Sequence, residues 1–297
     1  GECVAMRLLH QSAGILSLDA IGMPAHVRNR FETLIQRPHG MVLVTGPTGS
    51  GKTTTLYSAL SLLNVPEKKI ITAEDPIEYR LPRVTQVQIH AKIGLTFSSV
   101  LRTALRQDPD IILVGEMRDQ ETAEIGLRAA MTGHLVLSTL HTNDAVGTAM
   151  RLIDMGCDSY LVASALKAVI AQRLVRKICS NCKQPYVLSS QEAVWLSTID
   201  RNALNFTYYR GNGCHQCNNT GYSGRMGVYE LLELDEPLLQ ALRKNDAAEF
   251  ARAASVNPYY VSLNRCALEY ARQGITSVQE VFKISASLDD RSLESVA

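Results

Sequence analysis

A glycine-rich loop followed by lysine and threonine is the clearest chemical signal in the sequence. It reads GPTGSGKT and, with the next residue, comprises Gly46, Pro47, Thr48, Gly49, Ser50, Gly51, Lys52, Thr53 and Thr54. In such a loop, backbone N–H groups can surround phosphate oxygens at the start of a helix, whose dipole favours anions. The Lys52 ammonium can reach the β- and γ-phosphates, and the Thr53 hydroxyl can bind Mg²⁺. The loop therefore predicts a nucleotide site with ATP and Mg²⁺ as ligands.

Acidic residues follow two apolar runs further along the chain. The run at 110–114 ends just before Glu116. We expect that strand to lie beside the strand of the glycine-rich loop and to bring Glu116 to Mg²⁺ or its waters. Glu74 and Asp75 also follow an apolar run, at the sheet edge where ligands collect in open α/β folds. A carboxylate after a strand can also cap a helix or close a turn, so both interpretations stay open.

Two histidines, His134 and His141, flank the apolar run LVLSTL. If the whole segment is extended, they lie at the two ends of one strand and on opposite faces. An isolated histidine usually has a structural role. The alternative is that one of them contacts phosphate or a neighbouring subunit.

Four of the seven cysteines form two C-x-x-C pairs, Cys179 with Cys182 and Cys214 with Cys217. Each pair can direct two thiolates to one ion, and Zn²⁺ accepts four thiolates in a closed tetrahedral site. An iron–sulfur cluster is the other chemistry open to four cysteines. Because a closed site leaves no position for substrate, we predict a structural zinc. His215 lies inside the second pair and is not expected to be a ligand.

The elements that must position these residues alternate between strand and helix. Strands are predicted at 41–45, 69–73, 111–114 and 135–139, and helices at 98–107 and 120–131. This alternation predicts an α/β protein with a mostly parallel sheet covered on both faces. A longer helix is predicted at 159–175, before the first cysteine pair. Further helices are predicted at 241–255 and 262–273.

Composition and charge exclude several classes of protein. The chain has 297 residues, 46% of them hydrophobic and 20% charged, which is typical of a globular protein of about two domains. A net charge of +1 gives no global attraction to nucleic acid or an anionic membrane. No run of about 18 apolar residues predicts a membrane span. The chain starts at Gly1 without a secretory signal, and we interpret it as a fragment of a longer cytoplasmic protein.

Four segments occur in an order typical of one family. They are the glycine-rich loop 46–53, an Asp box at 72–82, an atypical Walker B segment at 112–119 and a His box at 133–144. In these segments the chain resembles the secretion ATPase superfamily, specifically the ATPases of type II secretion and type IV pilus assembly. The resemblance runs from Gly1 to about Arg225, and more loosely to Phe282.

The resemblance and the patterns together imply four parts of the chain. Residues 1–22 would be the end of a truncated N-terminal domain and a linker. A RecA-like P-loop NTPase core would follow at 23–177, and a small tetracysteine metal-binding subdomain at 178–223. The rest, 224–297, would be a mainly helical C-terminal domain with a loose tail.

The resemblance also implies a role for each candidate site residue. Lys52 and Thr53 would hold phosphate and Mg²⁺. Glu74 would position or deprotonate the attacking water, and Glu116 would hold Mg²⁺ directly or through water. His141 would approach the γ-phosphate.

Basic residues complete this implied site. Family members act as hexamers in which a preceding domain supplies arginines to a neighbour's nucleotide, and Arg7 lies in a segment that resembles the end of that domain. Arg102 and Arg106 also match the family, although a solvated helix face explains them equally well. His134 would support the strand that ends at His141.

The implied function is that of a hexameric motor that hydrolyses ATP to drive pilus or pseudopilus assembly, or type II secretion. It would be cytoplasmic and peripheral to the inner membrane through platform and assembly proteins, without direct membrane insertion or a nucleic-acid partner. A tetracysteine insertion is typical of assembly and secretion ATPases rather than retraction motors. Two alternatives stay open: a RecA-like DNA-translocating motor, and a nucleotide-gated docking module without turnover.

Overall fold

The computed structural model describes residues 16–289, which form nine strands and eleven α-helices. The strands are β1 (Gly40–Thr45), β2 (Ile70–Glu74), β3 (Val84–Gln88), β4 (Ile111–Val114), β5 (Leu135–Leu140), β6 (Leu166–Ile178), β7 (Lys183–Tyr186), β8 (Tyr208–Gly211) and β9 (Tyr222–Glu233). The helices are α1 (Ala25–Ile35), α2 (Lys52–Leu63), α3 (Phe97–Ala104), α4 (Gln120–Met131), α5 (Ala145–Asp154), α6 (Ser159–Ala165), α7 (Ser190–Ile199), α8 (Glu236–Arg243), α9 (Ala247–Val256), α10 (Leu263–Arg272) and α11 (Val278–Asp289). Arg7 and the tail after residue 289 lie outside this range.

Seven of the strands form one sheet, in the order β3-β2-β4-β5-β1-β6-β9. Every neighbouring pair is parallel except β6 and β9, which are antiparallel. The predicted α/β class with a mostly parallel sheet is confirmed. The expectation that the strand before Glu116 lies beside the strand of the glycine-rich loop is wrong, because β5 separates β4 from β1.

Two hydrophobic cores cover the two faces of the sheet. Val42 and Val44 of β1 pack into one core with α1 and α2, whereas Met41 and Leu43 pack into the other. The second core contains side chains of α3 to α6 and continues into the C-terminal helices. Because strand side chains alternate between faces, a strand buried on both sides has a nearly continuous apolar sequence.

The segment predicted as one helix over 159–175 is instead a short helix followed by a long strand. Helix α6 ends at Ala165, and β6 begins at Leu166. Strand β6 lies inside the sheet between β1 and β9, and its side chains point alternately into the two cores, so most of them are buried. Burial on both faces removes the alternation that identifies a strand, and the apolar run then resembles a buried helix.

The C-terminal part of the chain combines one strand with a helical bundle. The helix predicted at 241–255 is two helices, α8 and α9, separated at Lys244–Asp246. Strand β9 begins at Tyr222, before the predicted boundary at 223, and joins the core sheet. The division into domains stays a prediction. None of the helices between residues 16 and 289 is both long and apolar enough to cross a membrane.

Candidate nucleotide site and metal centre

The glycine-rich loop connects β1 to the first turn of α2, as predicted. Gly46 has φ 145°, and a Cβ there would lie 2.4 Å from the carbonyl oxygen of Gln172 on β6. Gly51 precedes α2 in the left-handed region, with φ 91°. The Lys52 ammonium donates to the carbonyl oxygens of Gly46 at 2.7 Å and Pro47 at 3.0 Å. The loop therefore needs glycine where the backbone turns back over β6.

Two observations test whether this loop fits a phosphate group. The Ser50 hydroxyl is buried and has no hydrogen-bond partner among the described residues. Burial lowers the pKa of Lys52 to about 8; the nearby Arg173 guanidinium adds to this, and Glu116 opposes it. Lys52 still carries its charge at neutral pH. An unpaired donor and a cation at a helix N-terminus suit an anionic ligand.

A cavity of about 660 Å³ opens beside the glycine-rich loop, at the carboxyl ends of the parallel strands. Its lining brings together the residues that the sequence singled out from separate segments: Lys52, Thr53, Glu74, Glu116 and His141. Glu74 ends β2, while Glu116 and His141 follow β4 and β5. Because these strands are parallel, their carboxyl ends meet at one edge, where ligands collect in open α/β sheets.

Glu74 is held by three uncharged donors. Its carboxylate is 3% exposed and accepts hydrogen bonds from the hydroxyls of Tyr57 and Thr72 and from Nε2 of Gln86, the last at 3.1 Å. Burial and the hydrogen bond to Glu74 together raise the pKa of Tyr57, so its hydroxyl stays a donor at neutral pH. The arrangement fixes the direction of a carboxylate that lines the cavity.

Glu116 lies between a guanidinium and an imidazole. One oxygen accepts from Arg118, and the other lies 3.5 Å from Nε2 of His141. Burial lowers the pKa of His141, and Lys52 lowers it further against the opposing effect of Glu116. The imidazole is therefore neutral at pH 7 and is available as a hydrogen-bond donor or acceptor.

Helices α4 and α5 begin shortly after Glu116 and His141, and each has an aspartate cap. The Asp119 carboxylate accepts from the Thr122 N–H at 2.8 Å, and Asp144 accepts from the Gly147 N–H at 2.6 Å. Such caps satisfy N–H groups that have no partner within the helix. They fix where both strand-to-helix connections turn beside the cavity.

Some residues of the cavity had no signal in the sequence, and some predicted residues lie elsewhere. Tyr57 and Arg225 line the cavity but belong to no motif of fixed spacing. Arg118 also lines it and lies in the segment 112–119, but its type and spacing did not predict a site residue. The ring of His134 contacts the Ala129 carbonyl oxygen at 3.0 Å, which fits the structural interpretation. Arg102 forms an exposed ion pair with Glu121, which fits a solvated helix face.

The four paired cysteines form one cluster, as their spacing predicts. Their sulfur atoms lie within 4.8 Å of one another. The distance is 3.8 Å from Cys179 to Cys214, 3.8 Å from Cys182 to Cys217 and 3.7 Å from Cys214 to Cys217. A tetrahedral site with Zn–S bonds of ~2.3 Å requires sulfur separations of ~3.8 Å. The cluster therefore fits a zinc ion.

The backbone around this cluster favours thiolates. The N–H groups of Cys214 and Gly221 donate to the Cys217 sulfur at 3.2 Å and 3.3 Å. Burial acts to raise the pKa of the Cys217 thiol, but these hydrogen bonds, together with contacts to the Cys214 and Cys182 sulfurs, lower it to about 6, while the pKa of Cys182 is raised. N–H groups directed at a sulfur ligand are the kind of support that metal thiolates require.

Comparison with known proteins identifies the family to which the chain belongs. The sequence profile of the type II/IV secretion system protein family matches residues 1–283. The chain belongs to this family. The type II secretion system ATPase E of Vibrio cholerae is 47% identical over 285 residues, covering 96% of this chain and 56% of the relative. The type IV pilus assembly ATPase PilB of Myxococcus xanthus is 46% identical over 282 residues, covering 95% of this chain and 50% of the relative.

Solved structures place this member of the type II/IV secretion system protein family among the RecA-like ATPases. The pilus retraction motor PilT with bound ADP superimposes with a TM-score of 0.69 at 30% identity, over 98% of this chain and 71% of that one. The ATPase DotB of Legionella pneumophila superimposes with a TM-score of 0.67 at 25% identity, over 91% of this chain and 65% of that one. The chain spans about half the length of the curated relatives it matches.

Membership of the type II/IV secretion system protein family favours one of the three functions that the sequence left open. The relatives are named as ATPases of secretion and pilus assembly. These names support the secretion ATPase interpretation over a DNA-translocating motor.

Proposed function

We propose that this chain is the motor core of a secretion or pilus-assembly ATPase that hydrolyses ATP in the cavity described above. The observation that carries the proposal is the convergence of Lys52, Glu74, Glu116 and His141 on one cavity at the carboxyl edge of the sheet. Phosphoryl transfer depends mainly on positioning and on stabilising charge. These four side chains offer a cation, a fixed carboxylate, a second carboxylate and a neutral imidazole for that purpose.

The phosphates would bind at the glycine-rich loop. Its backbone N–H groups face the ligand from the start of α2, and the Lys52 ammonium would exchange its carbonyl partners for phosphate oxygens. Thr53 and Glu116 would hold Mg²⁺, which neutralises charge on the phosphates when bound. Glu116 would exchange its contact with Arg118 for that role.

The attacking water would be oriented by Glu74. This residue accepts a hydrogen bond from Tyr57 of the loop's helix and two more from Thr72 and Gln86, so the direction of its carboxylate is fixed. A carboxylate that accepts a proton from water, or aligns it, acts as general base in hydrolysis. His141 would donate a hydrogen bond to the γ-phosphate, because a neutral imidazole still carries one N–H donor.

Hexamer formation would complete the site. Arg7, which lies outside the described residues, would contact the nucleotide of a neighbouring subunit. The ring would work in the cytoplasm against inner-membrane platform and assembly proteins of a pilus or type II secretion system. The cysteine cluster would hold a structural zinc ion, because four thiolates leave no open position.

Turnover of Mg²⁺-ATP across a range of protein concentrations tests this proposal. Specific activity that rises with concentration is expected, because each site would be completed by a neighbouring chain. Constant specific activity would contradict the shared site. Tight ATP binding without turnover at any concentration would contradict the motor and favour a docking module.

A further inference from the structure

Glu230 on β9 is a buried carboxyl group that joins the starts of two helices. Only 1% of its surface is exposed. One oxygen accepts from the N–H of Ala145 at 2.7 Å, and the other accepts from the N–H of Leu263 at 3.0 Å. These are the first residues of α5 and α10. A buried carboxyl group is costly unless its oxygens are satisfied, and here two separate helices satisfy them.

Helix α5 is attached to the nucleotide cavity by the residues just before it. The chain leaves the cavity at His141. The Thr142 N–H then donates to the hydroxyl of Thr45 at 3.0 Å, and Arg173 donates to the Asn143 carbonyl oxygen at 2.8 Å. Thr45 is the last residue of β1, directly before the glycine-rich loop. The start of α5 is thus held by the same strand ends that hold the loop.

Arg173 reinforces this attachment from β6. Its side chain is 6% exposed, and a Cβ on Gly46 would lie 3.2 Å from its Nη1. The guanidinium therefore lies beside the first glycine of the loop while it holds the segment that follows His141. Displacement of the loop by a ligand would move this segment as well.

Helix α10 lies on the other side of Glu230, among the C-terminal helices. Leu263 is fully buried in the core, and α10 packs against β9 and α11. A carboxyl group with one oxygen on each helix cannot follow α5 without changing its bond to α10. Hydrogen bonds depend steeply on distance and angle and are stronger in a buried environment than in water, so small shifts alter them.

We infer that Glu230 is a positioning residue that couples the nucleotide cavity to the C-terminal helices through its two helix N–H bonds. When ATP binds, the segment from His141 to Ala145 shifts and Glu230 passes the shift to α10. This coupling rests on the proposed function in one respect, that a nucleotide occupies the cavity.

Hydrogen–deuterium exchange on the full chain tests the coupling, with a non-hydrolysable ATP analogue and Mg²⁺ as the probe. In the unmodified protein, the analogue is expected to change exchange at the starts of both α5 and α10. Glu230→Gln keeps the shape but turns an amide NH₂ group towards one of the two N–H donors. This variant should still bind the analogue and keep the α5 response, while the α10 response is lost.

Glu280→Gln is the matched control. Glu280 is also a buried carboxylate near the C-terminal helices, with 5% exposure, but it binds Arg176 rather than the start of α5. The α10 response should persist in this variant. If Glu230→Gln does not fold, Glu230→Asp replaces it. Aspartate keeps both acceptor oxygens on a side chain that is one methylene shorter, so the α10 response should be weaker.

Two results would overturn the inference. One is an α10 response of equal size in the unmodified protein and in the Glu230 variant. The other is an analogue that binds and changes α5 while leaving α10 unchanged in the unmodified protein. Failure of the analogue to bind at all would contradict the proposed function, and the coupling with it.

Discussion

Glu74 and Glu230 are both buried carboxyl groups, but their hydrogen-bond donors differ, and so do the roles that we assign to them. Glu74 accepts from side chains and lines an open cavity, so one side of it faces a potential reactant. Glu230 accepts from two backbone N–H groups and is not among the residues that line the nucleotide cavity. The first arrangement suits proton transfer, and the second suits holding helices together.

Glu74→Gln tests the first role. The amide keeps the size of the side chain but cannot take a proton from water. We expect turnover to fall by ~10²–10⁴-fold, the usual contribution of a general base, with nucleotide affinity unchanged. Glu78→Gln is the control, because Glu78 lines the same cavity but is exposed. Equal losses in both variants would point to a general effect of charge and contradict the specific role.

Glu230 should make stability depend on pH. Burial raises its pKa to about 7, and Asp144 contributes, against the two helix N–H groups and Tyr260. Arg173 and Cys266 are the other titratable groups close enough to interact with it. Between pH 4.5 and 7 the folded protein keeps a proton here that the unfolded chain releases. This group's contribution to the free energy of unfolding therefore falls as pH rises, by up to about 1.4 kcal/mol per pH unit.

Chemical denaturation of the unmodified protein and of Glu230→Gln at pH 5, 6 and 7 measures this slope. The difference in the free energy of unfolding between the two proteins should change steadily with pH, because the amide does not titrate. A difference that is constant over this range would mean that Glu230 stays ionised throughout.

At the scale of elements, prediction succeeded where a short contiguous segment carries the signal. The glycine-rich loop needs backbone freedom and a lysine at fixed spacing, so sequence alone identified it. Strand β4 was predicted with its observed bounds because it is a short apolar run between polar residues. Strand β6 was predicted as a helix, because its burial between two cores and two neighbouring strands cannot be seen in local spacing.

Hydrogen bonds between residues far apart in the chain could not be predicted from the sequence either. Glu230 lies in an apolar stretch and lacks any motif; its importance comes from helices that start 85 residues before it and 33 residues after it. Tyr57 belongs to the apolar face of α2 and reaches Glu74 only through the packing of α2 on the sheet. Tertiary packing, rather than local propensity, decides such contacts.

An aromatic pair joins the segment between the two cysteine pairs to α11 and can report zinc binding at the cysteine cluster. Trp195 on α7, between the two cysteine pairs, packs edge-on against Phe282 with ring centroids 5.1 Å apart. It is the single tryptophan of the chain. Removing zinc with a strong chelator should loosen this segment and shift Trp195 emission to longer wavelength, because the indole becomes hydrated.

Metal analysis of two variants provides the matching test. Cys182→Ser should lose the zinc, whereas Cys157→Ser should retain one ion per chain, because Cys157 is buried outside the cluster. Structural zinc sites contribute directly to folding, so the first variant should also unfold at lower temperature. Full zinc content in Cys182→Ser would show that these four sulfurs are not the ligands.

At the scale of the whole molecule, the position of the cavity matters most. It lies at the carboxyl ends of the parallel strands. Side chains from the loop, from three parallel strands and from the β6–β9 pair surround it. A site of this kind can accept groups from a neighbouring chain. The proposed hexamer uses that possibility through Arg7.

Mixing two inactive variants tests whether sites are shared. In a mixed ring, a chain with Arg7→Ala keeps its own Glu74 and receives Arg7 from a neighbour with Glu74→Gln. We expect each variant alone to be nearly inactive and the mixture to recover part of the turnover. A mixture that shows only the sum of the separate activities would place Arg7 and Glu74 of each working site on the same chain.

The pairing of β1 has a consequence for how the protein is made. Thr45 at its end contacts Leu140, 95 residues later, and Thr55 behind the loop donates to Gln172, 117 residues later. Contacts of such long sequence separation form late, and synthesis on the ribosome delivers the N-terminal partner first. In a nascent chain, the phosphate-binding loop thus emerges well before β5 and β6, the strands that hold it in the folded protein, have been synthesised. We expect nucleotide binding to appear during translation only after β6 has left the exit tunnel.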